Sequence, residues 1–396
     1  VTRMLFALPE LSEADAQVLA AIDEMRQALR FSLSRPRRWR GTLRRQSLAR
    51  AVRGSNSIEG IEVTDDEALA IVSGESDQVS IDPTWLAVKG YSDAMTYLHA
   101  VARRPGAPLD ESTLLALHFM VQSYDLDRRP GEYRRGEIFV RDDDAREVVY
   151  AGPEPADVPG LMAEYTQDLA RLAGSGVHPL LQGAMAHLNL VMIHPFADGN
   201  GRMARIVQSF MLYREQVDEA ELVSIEEHLG RSAQAYYDVL ARVGGGQWSP
   251  QRDASEWIEF VLAAHYRQVR TVQRRIWVLD RIAEKVDELV DAGHMPARSS
   301  AAMELALSGW RIRNATYRDL AEVSANVASR ELNALVDAGL LKRHGQKRGT
   351  WYSPADDLAA WIDGVQAQAA ARFEEAEDPY RMLRRGGRLV PASAAS

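Results

Sequence analysis

Between Ile193 and Arg205 the chain reads IHPFADGNGRMAR, with a histidine, an aspartate, two glycines, an asparagine and two arginines in close succession. Each type has a definite chemical use. His194 is a base that titrates near neutrality. Asp198 is a hard oxygen ligand; Mg²⁺ takes one or two such carboxylates and completes its octahedron with waters and substrate phosphates. Backbone N–H groups of Gly199, Asn200 and Gly201 can point into one concavity, where glycine permits unusual φ and lets an anion come close. Arg202 and Arg205 lie one helical turn apart, so they share a face and can clamp phosphate oxygens. Together these residues describe phosphoryl or nucleotidyl transfer to a hydroxyl, with His194 accepting the hydroxyl proton.

The flanks say how such a stretch must be held. Upstream, Leu181, Ala184, Met185, Leu188 and Met192 recur at helical spacing in an almost wholly apolar run; downstream, Met203, Ile206, Val207, Phe210 and Met211 do the same. The spacing predicts two buried helices. The motif is then the loop between them, at the N-terminus of the second, where the helix dipole favours an anion. GNGRMA also fits the dinucleotide pattern G-x-G-x-x-A, but that pattern needs a preceding strand, and a His-Pro-Phe in helical surroundings stands there instead. A P-loop motif is absent. His187 and His194 lack a third ligand at a convincing spacing, which argues against zinc. His187 and Phe196 read as core residues.

The wider chain is mostly helical by pattern. Val18, Leu19, Ile22, Met25 and Leu29 form a stripe within 12–31, and Thr64 with Glu67 makes a capping box. Helices are expected over 109–124 and 159–172. Between them EIFVR and REVVY flank a DDDA turn as a hairpin, with Ile138 and Val140 on one strand and Val148 and Tyr150 on the other. The Arg-dense stretch SRPRRWRGTLRRQSLARAVRG reads as a solvated face or a contact with acidic neighbours. Residues 255–292 read as one long helix stopped by Gly293 and Pro296, with a modest heptad seam from Val269 to Val290. That seam suits packing within the chain and pairing with a second copy about equally. Residues 298–355 read as two helices and a two-stranded wing, with Ser324 as N-cap and Gly339 as C-cap. The last forty residues are expected to fray.

Bulk properties narrow the class. Of 396 residues 46% are hydrophobic and none is cysteine, so neither disulfides nor thiolate metal sites can form. No membrane-spanning run appears, and early acidic residues argue against a signal peptide; a cytoplasmic protein is expected. The net charge of −9 disfavours bulk nucleic-acid affinity, although 298–355 holds nine Arg/Lys against five Asp/Glu.

The stretch HPFADGNGRMAR resembles, without a mismatch, the H-P-F-x-[D/E]-G-N-G-R-x-x-R signature of the Fic family. The resemblance implies a mainly α protein: a Fic-type helical core with a β-hairpin flap, plus a C-terminal winged helix-turn-helix domain. The expected division is 1–105 with an inhibitory motif, 106–265 as catalytic core, 266–297 as connecting helix, 298–357 as winged helix and 358–396 as tail. It further implies AMP transfer from ATP, with Mg²⁺, to a Ser, Thr or Tyr hydroxyl of a target protein. His194 would be the general base, Asp198 the Mg²⁺ ligand, and Gly199, Asn200 and Gly201 the phosphate nest. Arg202 and Arg205 would hold the β and γ phosphates. The Doc branch, which phosphorylates, departs at the second glycine; Gly201 is intact here.

SNSIEG, from Ser55 to Gly60, places Ser55 and Glu59 on one face of a helical turn. Spacing alone would leave Glu59 an exposed residue without a role. The stretch resembles the family's inhibitory [S/T]-x-x-x-E-[G/N] pattern, which implies that Glu59 pairs with Arg205 and turns ATP into an unproductive pose. The hairpin resembles the family's target-aligning flap. Tyr236 and Tyr237 resemble a pair beside the nucleotide base, and core packing suits one of them equally well. Two alternatives stay open: removal of AMP by water that Glu59 orients, and a DNA-binding regulator whose core senses nucleotide.

Overall fold

The computed structural model describes the chain except residues 1–3, 35–36, 75–81, 105, 142–147, 215–221, 223, 374–376 and 390–396. The N-terminal half holds α1 (Glu13–Ser34), α2 (Arg40–Ser57), α3 (Asp65–Val72), α4 (Pro83–Ala102) and α5 (Glu111–Gln122). After the hairpin strands β1 (Phe139–Arg141) and β2 (Val148–Ala151) come α6 (Val158–Leu172), α7 (Pro179–Ile193) and α8 (Asn200–Arg214). Then follow α9 (Glu226–Arg231), α10 (Ala233–Gly244), the short β3 (Gly246–Gln247) and the long α11 (Ser255–Asp291). The C-terminal part contains α12 (Ser300–Leu307), α13 (Asn314–Ala321), α14 (Ala325–Asp337), β4 (Leu341–His344), β5 (Trp351–Pro354), α15 (Asp356–Arg372) and α16 (Pro379–Arg384).

Local chemistry sets the helix boundaries. The Thr64 hydroxyl accepts from the Glu67 N–H while the Glu67 carboxylate accepts from the Thr64 N–H, a complete capping box on α3. Ser324 caps α14, and Gly339 follows that helix at φ 69°. α7 is apolar all round because it faces two cores at once. Ala186, Leu190 and Ile193 join the cluster formed with α4, α5, α6 and α8. Leu181, Leu188 and Met192 join the other, which runs through α1 and α11 into the C-terminal elements.

α11 has 37 residues and so is about 55 Å long at 1.5 Å per residue. Its heptad-like positions Val269, Val272, Leu279 and Val286 are buried within the single chain, and α1, α12 and α15 pack along it. This surface is therefore already covered by the chain itself. In the hairpin, Val140 stands opposite Tyr150 in an antiparallel pair, with a register shift between Val140 and Arg141. β3 adds to β2 in parallel; its two residues carry no periodic signal. The expected turn Asp142–Ala145 lies outside the described residues.

After α14, β4 and β5 pair antiparallel as a two-stranded sheet, and Ile312 makes an isolated antiparallel bridge to Tyr352. The expectation that the tail frays from 358 onward needs correction. α15 extends to Arg372, and α16 is docked, with the Tyr380 hydroxyl donating to Asp15 Oδ1 at 2.7 Å. Leu358, Val365 and Ala369 supply a buried stripe, and Asp378 caps α16 by accepting from the Tyr380 and Arg381 N–H groups; the small, Ala-rich composition hid that stripe. Residues 390–396 lie outside the described residues. Among the described residues no helix is long and apolar enough to cross a membrane.

Candidate active site

α7 ends at His194, which takes left-handed backbone angles, φ 51° and ψ 58°. A β-carbon makes that conformation costly, so something must hold it. Arg134 does much of this. Its Nε donates to the His194 carbonyl at 2.8 Å, its Nη1 to Gly136 O at 2.9 Å and its Nη2 to Pro153 O at 2.5 Å. Its backbone N–H donates to Pro195 O at 2.9 Å. One buried guanidinium thus ties the motif to both roots of the hairpin. Its sequence context, GEYRRGE, carries no signal of that role.

His194 is half-buried. Its Nδ1 lies 3.1 Å from Val191 O. Nδ1 must carry the proton to donate there, which leaves the Nε2 lone pair as the acceptor. Burial lowers the pKa of this imidazole, the Val191 bond opposing it, so the neutral base is the resting form at pH 7.

The loop after His194 is braced from inside. Phe196 is fully buried and stacks on His118, ring centroids 3.7 Å apart. His118 Nδ1 accepts from the Gly131 N–H at 2.9 Å, so its Nε2–H donates to Asp198 O at 3.0 Å. Burial pushes the His118 pKa down to about 4. Asn200 pins the loop against itself: its Oδ1 accepts from Phe196 N–H at 2.9 Å and its Nδ2 donates to Phe196 O at 3.0 Å. The Asn200 side chain is committed to the loop, and only its backbone N–H remains for the nest.

Gly199 has φ 78°, which its type permits, and a Cβ there would press on the Gln122 amide at 3.1 Å. That amide is buried without a hydrogen-bond partner among the described residues. Gln122 and His118 both sit on an apolar face of α5, where sequence alone reads them as core. Asp198 Oδ1 accepts from the Gly199 N–H at 2.6 Å, and its side chain is 41% exposed. No group of three or more His, Cys, Asp or Glu able to hold a metal exists among the described residues. A single accessible carboxylate beside a phosphate nest nevertheless suits Mg²⁺, which draws most of its ligands from water and phosphate.

α8 begins at Asn200, so its free N–H groups face this loop. Arg202 and Arg205 are each 1% exposed. Arg202 Nη2 donates to the Tyr124 hydroxyl at 3.3 Å, and its guanidinium lies 5.7 Å from that ring. Among the described residues its Nε and Nη1 have no hydrogen-bond partner, and neither does Arg205 Nη1. Buried guanidinium nitrogens are rarely left unsatisfied; two neighbouring cases mark a place for an anion.

The remaining Arg205 nitrogens are engaged by the end of α2. Nε donates to Ser55 Oγ at 2.8 Å, and Nη2 to Ser55 O at 2.9 Å and Glu59 Oε1 at 2.6 Å. Glu59 sits in the turn just past α2, and Gly60 follows at φ 72°. Its carboxylate also covers Gly201, where a Cβ would lie 2.4 Å from Glu59 Oε1. Ser55, Glu59, Gly201 and Arg205 are therefore one cluster, assembled from segments 146 residues apart. Tyr236 is buried beneath it, its ring 6.0 Å from the Arg205 guanidinium and its hydroxyl 3.0 Å from His187 Nε2. Tyr237 is 40% exposed and donates its hydroxyl to Ile58 O at 2.9 Å, tethering the Glu59 turn.

Comparison with known proteins agrees with this geometry. Residues 108–212 match the Fic/DOC family. A protein adenylyltransferase Fic of Nematostella vectensis is 26% identical over 289 residues, covering 72% of this chain and 62% of that one. Its Drosophila melanogaster namesake is 30% identical over 208 residues, covering 50% of this chain and 40% of that one. The chain thus spans less than two thirds of the length of these curated relatives. A Fic family protein from Desulfovibrio desulfuricans shares the fold, with a TM-score of 0.56 and 23% identity across 88% of this chain and 98% of that one. The segment that contains the His194 loop, the two buried arginines and their α5 brace is a Fic domain, homologous to that of the proteins named protein adenylyltransferase Fic.

Proposed function

We propose that this protein transfers AMP from ATP to a Ser, Thr or Tyr hydroxyl of a target protein, and that Glu59 restrains the reaction. The observation that carries the proposal is the pair of buried arginines whose nitrogens lack partners among the described residues, on the helix that follows a half-buried imidazole whose Nδ1 is engaged by Val191 O, leaving Nε2 as the acceptor. In this reading His194 Nε2 accepts the hydroxyl proton, and the oxygen attacks the α-phosphorus. The bond to the β-phosphate breaks, and pyrophosphate leaves with its charge held by Arg202, Arg205 and the N–H groups of Asn200 and Gly201, joined by that of Gly199 once Asp198 turns from it to Mg²⁺. Asp198 would hold Mg²⁺, which neutralises phosphate charge when bound. The hairpin would align the target segment by main-chain pairing.

The restraint is a competition for one place. The N-terminus of α8 and Arg205 together attract an anion, and Glu59 supplies one from within the chain. A γ-phosphate arriving there meets a carboxylate of like charge, so ATP is held off its productive pose. Moving a reactant by about 1 Å costs on the order of 10²-fold in rate.

Hydrolytic removal of AMP would use the same carboxylate to orient water, since Glu59 stays about a quarter exposed beside Gly201. Incubating purified parent, Glu59→Gly and His194→Ala proteins with α-labelled ATP tests the main reading. Labelling strongest in Glu59→Gly and absent in His194→Ala is expected. Loss of AMP from a pre-modified target with Mg²⁺ and no ATP would favour removal instead. The elements α12–α14 with β4 and β5 we read as a winged helix, on the order of the elements and the Ile312–Tyr352 bridge.

A further inference from the structure

Away from the His194 loop, a second set of arginines surrounds a cavity of about 240 Å³ where α2, α9, α11 and the C-terminal elements meet. α2 supplies Gln46 and Arg50, α9 supplies Arg231, and α11 supplies Arg274 and Arg275. Ser308, just past α12, and Gln366 on α15 close the far side with hydroxyl and amide groups. Among the described residues no acidic side chain lines the space.

Four guanidiniums around one cavity repel each other unless anions intervene. The chain provides only part of the compensation. Glu227 accepts from Arg275 Nη1 at 2.7 Å and Arg231 Nη2 at 2.5 Å. Burial would raise that carboxyl, but Arg275 first, then Arg231 and Arg50, bring it down to about 2. Among the described residues neither Arg50 nor Arg274 is hydrogen-bonded to a carboxylate, although Glu227 and Asp65 act on Arg50 through their charge. Arg50 lies over the Trp310 ring, 5.1 Å from its centroid, and its Nη1 is buried without a hydrogen-bond partner. Burial, then Arg275, pushes its pKa down to about 10. The Gln46 side chain is 2% exposed, and its Nε2 is likewise a donor without an acceptor. Four arginines line the cavity and Glu227 is the one carboxylate hydrogen-bonded to any of them among the described residues, so the lining keeps an excess of positive charge that is complementary to a compact oxyanion, and guanidinium forks suit phosphate best.

We propose that this cavity binds a small phosphate-bearing anion, separate from the nucleotide nest. The site belongs to the junction of the helix that carries Ser55 with α11 and α15, so its ligand fastens the C-terminal elements to that helix.

Isothermal titration with inorganic pyrophosphate, repeated with orthophosphate, tests the site. The Arg202→Ala protein is used beside the parent so that binding at the nest is removed. One saturable site is expected to survive in Arg202→Ala. Adding Arg274→Gln should weaken it by about tenfold or more, the loss of a charge-assisted hydrogen bond. Gln366→Glu, which places a like charge at the exposed rim, should weaken it as well. Arg274 has no partner to lose, and circular dichroism confirms that each variant is folded. The proposal is overturned if no saturable heat remains in Arg202→Ala, or if both added substitutions leave the affinity unchanged. Failure of the nest reading would show differently, as parent and Arg202→Ala proteins binding alike.

Discussion

Replacing Glu59 by glycine should raise AMP transfer, and the structure sets the size of the effect. Arg205 donates to Ser55 Oγ, Ser55 O and Glu59 Oε1. The substitution removes only the last bond. Two Ser55 contacts keep the guanidinium where it is, so the anion site is vacated without being dismantled. In the parent, a γ-phosphate must first displace a charge-assisted hydrogen bond, worth about 1.5–3 kcal/mol. Removing that competitor favours the productive complex by the same amount, about 10- to 100-fold. Glu59→Gln keeps a hydrogen bond from the guanidinium to a neutral amide oxygen, weaker than that to the carboxylate, and should fall between parent and Glu59→Gly. The assay is the initial rate of label transfer from α-labelled ATP to protein at sub-saturating nucleotide, with Glu59→Gly/His194→Ala as the blank. If the folded Glu59→Gly protein labels no faster than the parent, competition for Arg205 is not what limits the reaction.

Gly201→Ala should abolish labelling even combined with Glu59→Gly, because its Cβ would stand 3.1 Å from Arg205 Nη1, in the space the carboxylate now fills; appreciable activity in the double variant would place the phosphate elsewhere. Tyr237→Phe frees the Ile58 carbonyl from its tether and loosens the Glu59 turn. One neutral hydrogen bond is worth about 0.5–1.5 kcal/mol, so basal labelling should rise roughly 2- to 10-fold, and an unchanged rate would show that the tether does not hold Glu59. The acid limb of the pH–rate profile should lie below the ordinary histidine value of 6.5, since burial lowers His194 and the neutral form is the base; a limb above 6.5 would assign the base to another group. Buried His118 and His187 have pKa values near 4 and 3, so the unfolded chain binds protons first as pH falls. Urea stability should therefore drop below pH 6.5 by about 1.4 kcal/mol per pH unit for each histidine, levelling near pH 4 for His118; His187→Gln should shallow that slope.

The helices and their order were legible because each announces itself locally. The α7–α8 pair has its apolar spacing, α3 its capping box, α14 its Ser and Gly, and α11 its long seam. The loop chemistry was legible because a helix junction has no structural need for His, Asp and two Arg together. What stayed hidden depends on distant partners. Arg134 lies in a charged stretch like any solvated one, and only the folded chain brings it to the His194 carbonyl. His118 and Gln122 read as residues of an apolar helix face until Phe196 and Gly199 arrive beside them. Tyr236 and Tyr237 are neighbours in sequence with unlike positions, one under Arg205 and one outside on the Ile58 carbonyl. The C-terminal helices were missed because alanine weakens the apolar signal while still packing.

Where the restraint can yield follows from packing. Ser55 sits on a part of α2 that touches α9 backbone to backbone. A Cβ on Gly54 would lie 2.4 Å from Glu226 O, and one on Gly230 would lie 2.8 Å from Gly54 Cα. So close a fit leaves α2 no room to approach or slide past a side chain, and cores of this density switch between discrete arrangements instead of deforming. The turn from Ile58 to Gly60 is different. It lies beyond the helix and ends on a glycine at positive φ; the Glu59, Gly60 and Ile61 N–H groups donate to the Asn56 and Ser57 carbonyls and Tyr237 holds the Ile58 carbonyl, and none of these bonds fixes the Glu59 carboxylate. Glu59 also stands past the C-terminus of α2, where the helix dipole disfavours a carboxylate. Its hold comes from Arg205 and the start of α8, the same groups a phosphate would use. Exchange of one anion for the other is thus a local event: the Glu59 side chain swings, Ser55 stays, and the arginine remains aimed at the nest.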